Sequence, residues 1–137
     1  MTVLSDDECW QLLSGESLGR LATGAGGQPE IFPVNFVVQN QTVLFRSAEG
    51  TKLITTVINN VVAFEADGHN DVGAWSVIVK GKAHVLEIAA DVQEAEEAHL
   101  LPWIPTLKLR FVRIIPSEIT GRRFTFGPEP DRESTFA

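Results

Sequence analysis

Apolar and polar residues recur with two different periods along this chain, and the changes of period mark its elements. Leu18 to Thr23 (LGRLAT) alternates every second residue, as a strand with one buried face does. Glu30 to Gln39 (EIFPVNFVVQ) is rich in β-branched and aromatic residues, and Thr42 to Ser47 follows after the tight turn Asn40-Gln41. Together these two segments predict a hairpin. Val61 to Ala66, Trp75 to Glu87 and Leu107 to Ile115 are further strand candidates, and Ser117 to Phe126 holds one short strand more. Gly81 marks a bulge or bend in the long strand. Pro33 marks a bulge or an edge, because proline cannot donate to a ladder.

Helical spacing is confined to short stretches. Ser5-Asp6-Asp7-Glu8 is a capping box, so a helix is predicted from Asp6 to Leu13, stopping near Gly15. A second helix is predicted over Thr51 to Asn59, ended by Asn59-Asn60. A third spans Ala90 to Leu101, with Asp91 near its cap and Pro102 closing it. Gly24 to Pro29 and Asp67 to Asp71 read as loops, and the tail from Gly127 as loose. Six or seven strands with two or three short helices predict a mainly β fold, a small closed or half-closed β-barrel with short helices. The 137 residues fit one domain, 1–137. A Rossmann unit is not expected, since G-x-G-x-x-G is absent and helices do not alternate with strands.

Charge narrows the partners. Eleven basic against eighteen acidic residues give −7, which argues against nucleic acid and against an anionic membrane surface. No apolar run reaches the ~18 residues of a membrane span. The single cysteine, Cys9, permits no intrachain disulfide and suits a reducing compartment. The N-terminus lacks a signal-peptide layout, and the expected location is cytoplasmic.

In this acidic background the stretch FRSAEGTKL, Phe45 to Leu53, stands out. It gathers Arg46, Ser47, Thr51 and Lys52 where a strand gives way to a helix. A phosphate needs cations and N–H or O–H donors converging from one side. A lysine in a first helical turn opposes the helix dipole unless an anion shares the place. The stretch therefore reads as a phosphate cradle or as a solvated polar turn. It is not a Walker loop. His69, His84 and His99 are widely spaced and no zinc motif or G-x-S-x-G elbow is present. A cradle without a visible protein nucleophile, base or metal suits chemistry borrowed from a phosphorylated cofactor.

The succession LGRLAT, IFPVNF, FRSAEGTKL, WSVIVKG and IIPSEITGRR resembles the pyridoxamine 5′-phosphate oxidase-like, FMN-binding split β-barrel family, over about Leu4 to Phe124. The resemblance implies a six-stranded split β-barrel working as a homodimer, with FMN in clefts at the interface. It implies that Pro33, Val34, Asn35 and Phe36 line the flavin ring, largely by backbone. It places Phe45, Arg46 and Ser47 at the strand end near the phosphate and ribityl chain, Thr51 and Lys52 on the phosphate, and Trp75 and Ser76 against the flavin, often from the second subunit. The implied function is FMN-dependent oxidoreduction of a small molecule. A deazaflavin-coenzyme-dependent reductase, with Lys80, Lys82, Arg110 and Arg113 as a basic groove, and a non-catalytic flavin-binding dimer are the rivals. The Arg-x-His pair of the oxidases proper is missing after Arg122-Arg123-Phe124, which argues against vitamin B6 as substrate.

Overall fold

The computed structural model describes residues 1–58, 60–100 and 109–128. Its elements are β1 (Thr2–Val3), α1 (Asp6–Ser14), β2 (Leu18–Thr23), β3 (Glu30–Gln39), β4 (Thr42–Ala48), α2 (Lys52–Val57), β5 (Val61–His69), β6 (Gly73–Val85), α3 (Ala89–Glu96) and β7 (Leu109–Thr125). The strands form one antiparallel sheet in the order β1-β7-β4-β3-β2-β5-β6, and β6 pairs back onto β7. Six strands, β2 to β7, thus close a barrel, and β1 adds a short seventh strand beside β7.

Alternation along the strands fills the barrel. Leu21, Phe36, Phe45, Phe64, Val77, Val112 and Ile114 are buried in a single core. Phe36 and Phe64 meet edge-on, with ring centroids 4.7 Å apart. Gly19 makes room for that pair, since a Cβ there would lie 2.3 Å from Phe64 Cζ. The expected capping box is formed: Ser5 Oγ accepts from the Glu8 N–H, and Glu8 Oε1 accepts from the Ser5 N–H at 3.1 Å. The helix it starts presses Cys9, Trp10 and Leu13 into the same core. On the outside of the barrel α3 covers Leu44 and Phe111 in a second, smaller cluster.

β3 changes partners midway. Glu30 to Asn35 pair with β2, whereas Phe36 to Gln39 pair with β4. The second half of β4, Arg46 to Ala48, pairs only with β7. A split therefore opens between the first half of β3 and the second half of β4. Pro33 lies opposite Arg20 where β3 has a partner on one side only, the edge position its chemistry called for.

Several expectations need correction. Asp67 to His69 are not loop but the end of β5, paired with Ser76, Trp75 and Ala74. Cross-strand pairing there outweighs the turn residues, and the reversal is confined to Asn70–Val72, where Asn70 Oδ1 accepts from the Val72 and Gly73 N–H groups. The two strands expected on either side of Pro116 are one strand, β7. The register shift between Lys80 and Gly81 absorbs the proline, and Ser117 donates its hydroxyl to the Lys80 carbonyl at 3.1 Å. The extra residue is Ser117 on β7, opposite the step from Lys80 to Gly81, so the irregularity falls beside the glycine that marked it in sequence. α3 ends at Glu96, short of the predicted boundary, and its cap is Ile88, without a side-chain bond. The predicted boundary residues Asn59, Leu101, Pro102 and Leu107 lie outside the described residues. Among the described residues no helix is long and apolar enough to cross a membrane.

Candidate functional site

The cradle stretch sits at the split. β4 ends in Arg46-Ser47-Ala48, Gly50 takes the left-handed φ of 78° that the turn requires, and Thr51 caps α2. Thr51 Oγ1 donates to the Ala48 carbonyl at 2.8 Å, accepts from the Ile54 N–H at 3.4 Å and lies 3.2 Å from Ser47 Oγ. The two hydroxyls therefore converge. Lys52 Nζ reaches back across the split to Glu30 Oε1, 2.7 Å away on the first residue of β3. The anion that a lysine in a first helical turn calls for is, in this chain, a carboxylate of its own. Arg110 and Glu49 form a second pair at the same rim, at 3.5 Å.

Arg46 is not part of this group. Neighbouring residues of a strand point to opposite faces, so Arg46 turns outward where Ser47 turns in. Its guanidinium stacks over Phe111, 4.6 Å from the ring centroid, and Nη1 donates to the Leu100 carbonyl at 3.4 Å. Its buried Nε has no hydrogen-bond partner among the described residues. Val34, Phe36 and Phe45 have their side chains in the core, which leaves only their backbone to face a ligand. Pro33 is exposed and Asn35 half-buried, in register with Arg20 and Leu18 on the outer face of the sheet.

Trp75 belongs to a different place. It lines an open cleft of about 540 Å³ with Glu16, His69, Asn70, Arg123 and Phe124. The indole lies across Gly68, its cross-strand partner, where a Cβ would stand 2.6 Å from Nε1. Ser76, next on the strand, faces away from the cleft. β7 pairs with both places, Arg110 with Ser47 and Arg123 with Trp75, and the 13 residues between them (123 − 110), at ~3.3 Å each, put cradle and cleft at opposite ends of that strand. Sequence reading missed His69, Arg123 and Phe124 as neighbours of Trp75. The registers of β5, β6 and β7 bring them together, and no local pattern encodes those registers.

The outer face of β2 and β5 carries one further charged cluster. Arg20 bridges Glu65 at 2.9 Å and Asp67 at 3.3 Å. Partial burial, then the hydrogen bond and charge of Asp67, push the Glu65 carboxyl above its usual range, and Arg20 offsets this only in part. The four cations suggested as a basic groove do not converge. Arg113 is buried, donating to Thr42 Oγ1 at 2.7 Å and Gln39 Oε1 at 3.0 Å, while Lys80 and Lys82 stand exposed on β6. Lys108 lies outside the described residues. No group of three metal-ligating side chains occurs among the described residues.

Comparison with known proteins adds to this geometry. The family model of pyridoxamine 5′-phosphate oxidase matches residues 5–123. An uncharacterized protein of Mycobacterium tuberculosis is 62% identical over 101 residues, 74% of this chain and 92% of that one. The solved structure of an FAD-binding protein from Mycobacterium smegmatis is 54% identical, covers 90% of this chain and 99% of its own, and superposes with a TM-score of 0.83. An FAD-binding protein from Mesorhizobium loti is 26% identical over 90% of this chain and 97% of its own, with a TM-score of 0.77.

Proposed function

The chain belongs to the pyridoxamine 5′-phosphate oxidase family, and from that premise we propose that it is a flavin-dependent oxidoreductase acting on a small molecule in the cytoplasm. The observation that carries the proposal is the split between β3 and β4. It joins the stretch of β3 that has a strand partner on one side only, Ile31 to Val34, to a cluster of Ser47, Thr51 and Lys52. A flat polar ring can hydrogen-bond to a strand edge, and a phosphate can take the hydroxyls and the lysine. The residues present therefore fit a phosphorylated flavin. A bound flavin supplies hydride and electron transfer. The protein's part is to hold the phosphate with Lys52, Ser47 and Thr51, to orient the ring along the backbone of Pro33 to Phe36, and to keep water from it.

Trp75 and Ser76 lie too far from this chain's own cradle to complete it. In the proposed homodimer the partner brings its cleft to the split, so each site is built from two chains. Titration with FMN and FAD, followed by flavin fluorescence and then by reduction with NADH and NADPH, tests the reading. Saturable binding and reduction of the bound flavin are the expected results. Binding without reduction by either nucleotide would reduce the proposal to a flavin carrier, and no binding would overturn it.

A further inference from the structure

The ion pair across the split bears on which flavin the site takes. The cradle's own cation is already neutralised, since Lys52 Nζ lies 2.7 Å from Glu30 Oε1. The neighbouring cation, Arg110, is paired with Glu49. Arg46, the other cation of the stretch, is turned to the opposite face and stacked on Phe111. Among the described residues the cradle thus offers hydroxyls and balanced charge, not an excess of positive charge.

Flavin phosphates differ in charge. The terminal phosphomonoester of FMN carries about −1.5 to −2 at neutral pH. The corresponding phosphate of FAD is joined through an anhydride to a second phosphate, so it carries one negative charge and the second charge lies one phosphate farther out, while the phosphate of the deazaflavin coenzyme is a singly charged diester. A monoester brought to Lys52 sets nearly two negative charges beside the Glu30 carboxylate, whereas a phosphate substituted on its far side sets one there. Repulsion at such distances scales with the product of the charges.

We infer that Glu30, by its contact with Lys52 across the split, makes this site select flavins whose first phosphate is substituted on its far side over the monoester FMN. The inference rests on the flavin reading of the split and adds a specificity-determining residue to it. The two FAD-binding relatives agree with this preference.

The test is a set of fluorescence titrations at one ionic strength and pH 8, with riboflavin, FMN, FAD and the deazaflavin coenzyme, on the full chain and on its Glu30→Gln variant. In the unaltered protein FAD, or the deazaflavin coenzyme in its place, should bind about threefold or more tighter than FMN, and which of the two saturates identifies the flavin. Glu30→Gln should tighten FMN about two- to fivefold, the range of one exposed ion pair. It should tighten FAD and the deazaflavin coenzyme less and leave riboflavin, which has no phosphate, unchanged. FMN binding as tightly as FAD and the deazaflavin coenzyme in the unaltered protein would overturn the inference while leaving the flavin reading standing. So would an equal gain for FMN and FAD in the variant, since Glu30 would then repel anions without discriminating. Saturation by none of the four, riboflavin included, would overturn the flavin reading and the inference with it.

Discussion

Lys52 and Lys80 are both exposed lysines, and what separates them is location. Lys52 stands at the split beside Ser47 and Thr51, whereas Lys80 projects from the outer face of β6. Lys52→Ala should weaken flavin binding about tenfold or more, the loss expected for a charge-assisted contact to phosphate, and Lys80→Ala should not. Superimposable titration curves for the two variants would remove Lys52 from the site. Glu65 makes a prediction about pH. Its carboxyl is raised above the ordinary 4.5, so the unfolded chain releases this proton first as the pH climbs. Between 4.5 and the raised value the folded state binds more protons, and this group lowers stability as pH increases. Glu65→Gln removes that fall. Urea midpoints at steps from pH 4 to pH 7 should move in the variant's favour as the pH rises, and a constant offset would refute the assignment.

At the scale of elements, local chemistry was legible and partner choice was not. The bounds of β2 and β3, the capping box of α1 and the bulge beside Gly81 all follow from residue types in short windows. The extension of β5 through Asp67-Gly68-His69 does not, because turn-forming residues there are overruled by pairing with β6. The continuity of β7 through Pro116 does not either, since it depends on a register shift with a distant strand. The candidate site divides in the same way. Ser47, Thr51 and Lys52 were found from one stretch, but Arg46 was grouped with them by adjacency, which on a strand separates side chains. Glu30, which faces Lys52 from 22 positions earlier (52 − 30), carried no signal in sequence. The bulge itself can be tested. A Cβ on Gly81 would lie 2.1 Å from the Ile115 carbonyl oxygen, a backbone atom, whereas one on Gly24 meets nothing within 4 Å. Gly81→Ala should therefore cost about 2 kcal/mol or more in urea unfolding, and Gly24→Ala should be close to neutral.

For the whole molecule, the proposed site draws its cradle from one chain and its cleft from a second. Sedimentation should give a species of about 30 kDa, twice the 15.0 kDa chain, and a 15.0 kDa species at micromolar concentration would count against the two-chain site. One feature of the topology reaches beyond the finished fold. β7 pairs with β1, β4 and β6, so the last of the described strands is also the one that closes the barrel. While the chain is being synthesised, β4-β3-β2-β5-β6 can exist only as an open sheet with β4 and β6 as bare edges. Those edges are competent to pair with a neighbouring nascent chain. Faithful assembly therefore depends on how soon β7 clears the ribosome relative to such an encounter, and slow translation between β6 and the end of β7 would expose the chain to misassembly for longest.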